Sequence, residues 1–63
     1  MYVIKKGDRY VADADKENSF TKFLDRANVF GSKVAATNVS YSDKGEVVVE
    51  VGKTKQGKLV EVK

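Results

Sequence analysis

The sequence predicts a single small α+β domain over residues 1–63, in which two β-hairpins form a small antiparallel sheet packed on one short helix, in the order ββ-α-ββ. Three observations predict it. Runs of β-favouring residues pair off near both ends of the chain, each pair split by a polar turn that contains glycine. The middle of the chain carries apolar residues at helical spacing behind a serine. The composition is that of a folding chain, with 41% hydrophobic and 33% charged residues, five glycines and no proline.

The first hairpin joins Tyr2-Val3-Ile4 to Tyr10-Val11-Ala12, and Gly7 between them can take the positive φ that a tight turn needs. Residues 13–19 are polar and without periodicity, which reads as a surface loop. From there the apolar residues fall at Phe20, Phe23, Leu24, Ala27, Phe30, Val34 and Ala35, with Ser19 placed to cap the start, so one long helix is an option. Gly31-Ser32 argues against it, because a poor helix former followed by a good capping residue marks an end and a new beginning. The break is the preferred reading. It leaves Asn28-Val29-Phe30 free to be extended and a helix from Lys33 to about Val39, with Val34, Ala35 and Val39 as its apolar stripe.

Residues 46–51 form the clearest strand, since β-branched side chains dominate it and Val47, Val49 and Val51 share one face. A second strand follows over residues 58–62. The polar loop between them has glycine at each end, Gly52 and Gly57, as a hairpin connection would.

A chain of 63 residues has room for one core and no second domain, and at that size apolar burial and chain entropy nearly cancel. Modest stability is expected. Without cysteine or histidine, neither a disulfide nor a zinc site can staple the fold. Self-association into a homodimer, through a sheet edge or the helix face, is one remaining way to gain burial. The absent cysteines and the lack of an apolar leader in residues 1–6 suggest a cytoplasmic protein without a membrane partner.

Tyr2-Val3-Ile4-Lys5 with Tyr10-Val11, followed by Phe20-Thr21, Leu24, Ala27, Val29-Phe30, Ser32-Lys33 and Ala36, resembles a pattern in small uncharacterised proteins of phages and prophages of Gram-positive bacteria. The match covers roughly the first 40 residues, and its motifs are structural. The resemblance implies an accessory protein of a mobile genetic element, working in the bacterial host cytoplasm by binding a host protein. It carries no functional residue across. It also implies that Val29-Phe30 is extended and that the helix begins at Ser32.

Catalysis is poorly equipped. With no imidazole and no thiol, the Ser-His and Cys-His nucleophile pairs are absent, and a lysine or carboxylate base would need a desolvating pocket that so short a chain rarely encloses. No phosphate-loop spacing exists, and no cofactor is implied. Asp13, Asp15, Glu17 and Asn18 begin like a calcium loop, but Asn18 stands where glycine should make the turn and Leu24 where a bidentate glutamate should close the site. These residues read instead as an acidic loop. As an interaction element, Asp13, Asp15 and Glu17 would meet a basic surface on a partner.

The charge is mixed, with twelve basic against nine acidic residues and a net of +3, and the basic excess lies at the C-terminal hairpin. Lys53, Lys55 and Lys58 at its tip could reach phosphates, with Tyr2, Tyr10 or Tyr41 stacking on bases if they share that surface. Two functions from different classes follow: a non-catalytic inhibitor or modulator that binds a host protein and, as the alternative, a basic nucleic-acid-binding domain that uses the C-terminal hairpin.

Overall fold

The computed structural model describes residues 1–16 and 18–62. Its elements run β1 (Tyr2–Lys6), β2 (Arg9–Val11), β3 (Phe20–Thr21), a 3-10 turn at Leu24–Arg26, α1 (Lys33–Val39), a second 3-10 turn at Ser42–Lys44, β4 (Glu46–Lys53) and β5 (Leu59–Glu61). The α+β class is as expected. The ββ-α-ββ order is not, because a third strand precedes the helix and all five strands join in one antiparallel sheet ordered β3-β2-β1-β4-β5.

Local chemistry sets the turns. Lys6 pairs with Arg9, so the β1–β2 turn is Gly7-Asp8, and Gly7 sits at φ +61 in the first central position, where a two-residue hairpin turn of the II′ kind demands glycine. Ser32 caps α1 by accepting the backbone N–H of Ala35 at 3.1 Å, which is why the helix starts where it does. Gly45, left-handed at φ +83, ends the second 3-10 turn and releases the chain into β4.

The centre of the sheet is the pairing of β1 with β4, from Tyr2 opposite Glu50 to Lys6 opposite Glu46. Strand β2 follows β1 only through Lys5–Tyr10 and Lys6–Arg9, then turns away. The place it vacates is taken by residues 28–30. The Asn28 N–H donates to the Val11 carbonyl at 2.9 Å, and Phe30 and Tyr2 exchange both backbone hydrogen bonds, at 2.7 and 2.9 Å. The expected extension of Val29-Phe30 and the break at Gly31 are therefore present, and the long-helix option over residues 20–39 is overturned.

Both faces of the sheet are covered. On the helix side Ile4, Val11 and Ala36 are buried, with Tyr2, Phe20, Phe30 and Val48 packed against them. On the opposite side lie Val3, Tyr10 and Val51, joined by Leu24, Ala27, Val49 and Leu59. This arrangement corrects the helix stripe. Ala36 alone is buried from α1, whereas Val34 is 68% exposed and Ala35 and Val39 also face outward. Val34 lies two residues from Ala36, on nearly the opposite side of a helix, so both cannot reach the sheet. Val47, Val49 and Val51 do share a face, but burial grows along it from exposed Val47 to buried Val51.

One polar cluster ties the face opposite the helix together. The Tyr10 hydroxyl donates to Glu61 Oε2 at 2.5 Å, and Lys5 Nζ reaches the same oxygen at 3.0 Å. Strands β2 and β5 stand three strand spacings apart in the sheet, about 14 Å if it were flat. A direct bond between their side chains therefore needs long residues and a sheet that curls toward them. Among the described residues no helix is long and apolar enough to cross a membrane.

Candidate functional site

A groove of about 310 Å³ lies on the helix side of the sheet, between the loop after β2 and the chain that follows α1. Its floor comes from the sheet: Val11, Phe20, Lys6 and the buried Glu46. The acidic loop forms one wall through Ala14, Asp15, Lys16 and Asn18, and the end of α1 with the turn after it forms the other through Val39, Tyr41 and Lys44. Register explains why the floor residues meet. Lys6 lies opposite both Glu46 and Arg9, so all three project from the helix side, and Phe20 lies opposite Val11.

Glu46 is 7% exposed, and it closes the turn before it in both directions. Its carboxylate accepts the Tyr41 N–H at 3.1 Å while its own N–H donates to the Tyr41 carbonyl at 3.2 Å. The result holds Tyr41 at the groove mouth, where the residue is 57% exposed. Lys44 Nζ lies 4.8 Å from the centre of that ring, and Lys6 Nζ lies 5.5 Å from the centre of Phe20. Each such contact contributes about 0.5–1 kcal/mol at an exposed site, which is little enough for a ligand to displace. Lys6, Lys16 and Lys44 make no ion pair with a described residue. The site thus presents a largely polar opening in which the Phe20 ring lies beside three ammonium groups.

Of the acidic loop, Asp13 is spent locally: its carboxylate accepts the Asp15 N–H at 3.0 Å, and its carbonyl accepts the Lys16 N–H at 3.2 Å. Asp15 is exposed on the groove wall. Glu17 lies outside the described residues. No group of acidic side chains among the described residues is arranged to hold a metal ion. Asn18 takes a left-handed conformation, φ +57, which asparagine tolerates better than most side chains.

Lys53, Lys55 and Lys58 are all exposed at the β4–β5 connection, where Thr54 organises the turn by accepting the Lys58 N–H on its hydroxyl. The tyrosines are not with them. Tyr10 is buried and bonded to Glu61, Tyr2 is half-buried against the helix-side core, and Tyr41 stands at the groove beside Lys44. Lys6, Lys16, Lys44 and Phe20 carry no site signal in the sequence, because they are far apart along the chain and meet only through strand register and the return of the chain after α1. Compared with known proteins, the chain matches no family model, no curated protein sequence and no solved structure.

Proposed function

We propose that this chain is a non-catalytic binding protein of phage or prophage origin, which modulates or inhibits a host protein in the bacterial cytoplasm by holding part of it in the helix-side groove. The observation that carries this reading is the groove itself. It exposes aromatic and aliphatic side chains, Tyr41 and Val39, beside a helix that buries only Ala36. An exposed tyrosine and an aliphatic neighbour at a concave, charged opening support a protein contact, since aromatic residues are enriched in such contacts. The phage origin rests on the pattern in roughly the first 40 residues.

The alternative of a nucleic-acid-binding C-terminal hairpin is less well supported. Its three lysines are exposed, but no aromatic ring accompanies them on that turn among the described residues.

A photo-cross-linking amino acid placed at position 41 tests the reading in host lysate, with the same group at position 55 as the control. The expected result is one host protein captured from position 41, and lost when Val39→Asp is added. Capture that is equal from both positions, or none from either, would sink it. Oligonucleotide binding that disappears with Lys53, Lys55 and Lys58 changed to Ala would establish the alternative instead.

A further inference from the structure

We infer that the segment held in the groove is acidic and apolar: an extended protein stretch that sets one or two large hydrophobic side chains on Phe20 and Tyr41 and its carboxylates against Lys6, Lys16 and Lys44. This deepens the host-protein reading and rests on it. Three features of the groove select that chemistry.

First, charge. Lys6, Lys16 and Lys44 come from three separate segments yet surround one opening, and none is neutralised by a described carboxylate. Two of them rest over aromatic rings, an arrangement that leaves the ammonium solvated and available. Of the two described carboxylates in the lining, Glu46 is buried and engaged with the Tyr41 N–H, which leaves Asp15 as the one described carboxylate at the rim. Complementary charge of this kind steers encounter and excludes basic partners.

Second, size and floor. A volume of about 310 Å³ is at the lower end of ligand sites, enough for one or two large side chains and too small for a folded element. Half-buried Phe20, with Tyr41 and Val39 exposed at the opposite wall, gives it a small apolar surface that a purely polar acidic stretch would leave uncovered.

Third, the same features disfavour a nucleic-acid strand. Asp15, exposed on the groove wall, would repel a phosphate chain laid along the opening. A carboxylate-bearing peptide can keep its charges on the lysine side of the opening, whereas a phosphate backbone carries a charge at every step.

The experiment uses three fluorescein-labelled probes on the intact chain: a short peptide alternating Glu or Asp with Leu or Phe, its Lys-for-acid counterpart, and a single-stranded oligothymidine. Anisotropy reports affinity, and amide shifts in two-dimensional NMR report the place. The acidic peptide is expected to bind, to weaken several-fold as salt is raised, and to move the amides of Val11, Phe20, Tyr41 and Glu46. The double variant K6E/K44E should lose tenfold or more, and K6Q/K44Q, which removes charge without reversing it, should lose less; circular dichroism of both verifies the fold. K53E/K55E should bind like the parent chain. The inference is overturned if the basic peptide or the oligonucleotide binds as tightly at the same amides, if the shifts lie elsewhere, or if the acidic peptide does not bind. Cross-linking from position 41 separates this from the broader reading. A captured host protein joined through a basic or neutral segment ends the acidic-segment inference and keeps the host-protein reading. Peptide binding without any captured host protein does the reverse.

Discussion

Replacing Tyr10 by Phe removes one hydroxyl and little else, because the ring keeps its place against Val3 and Val51. The lost bond is the 2.5 Å donation to Glu61, a carboxylate that also takes Lys5 at 3.0 Å. A hydrogen bond to a charged partner contributes about 1.5–3 kcal/mol. The Glu61 side chain is about a third exposed (32%), so water competes for it and the lower end, about 1.5 kcal/mol, applies. For a domain of this size that corresponds to a fall of about 6–12 °C in Tm. Thermal melts followed by circular dichroism at neutral pH read it directly. The pH dependence is a second check. The bond to Glu61, then burial, raises the Tyr10 pKa above its ordinary 10.0, and the bond from Lys5 to Glu61 raises the lysine above 10.5. Both groups have folded values above their unfolded ones. Their stabilisation is therefore complete below about pH 10 and is lost as pH rises through the folded values. The gap between parent and Tyr10→Phe should stay open from neutrality to the ordinary tyrosine pKa and close beyond it. A variant that melts within about 2 °C of the parent at neutral pH would refute the argument, and so would a gap already closed below the ordinary tyrosine pKa.

Other changes probe the rest of the frame. Ile4→Ala empties a fully buried site between the sheet and α1 and should cost about 3 kcal/mol, a large share of the roughly 3–9 kcal/mol expected for 63 residues, whereas Val47→Ala on the exposed part of β4 should stay within about 0.5 kcal/mol; urea titration compares the two. Ser32→Ala removes the cap of α1 and should cost about 1 kcal/mol, seen by hydrogen exchange as lost protection confined to residues 33–39 while the sheet amides hold. Gly45→Ala meets no neighbouring atom, so its expected cost of about 1 kcal/mol comes from the φ of +83 alone, and an unchanged urea midpoint would argue against a left-handed residue there.

The stretch from Phe20 to Phe30 shows how far the sequence could be read. Its apolar residues recur at helical spacing, yet Phe20 and Phe30 pack on the helix side of the sheet while Leu24 and Ala27 pack on the other. A spacing of three or four residues marks one face only if the backbone is helical, and here the chain crosses the sheet edge between them. Gly31-Ser32 was the better signal, because a capping serine acts through its own next turn and needs no tertiary partner. The candidate site was less legible. Asp13 and Asp15 could be marked from composition, but the lysines that face Asp15 across the groove come from β1 and from the turn after α1.

By itself, then, the sequence determined the elements whose causes are local: the glycine turn of the first hairpin, the serine-capped helix over Lys33–Val39, the valine strand and its hairpin partner, and the absence of imidazole and thiol chemistry. Only the tertiary structure decided that β1 and β4 pair at the centre of one sheet, that residues 28–30 replace β2 beside Tyr2, and that Lys6, Lys16 and Lys44 surround one opening. The physical reason is the range of the interactions. Turns and caps are settled by a few neighbouring residues, whereas strand partners are chosen by burying two faces at once, and that choice depends on residues at opposite ends of the chain.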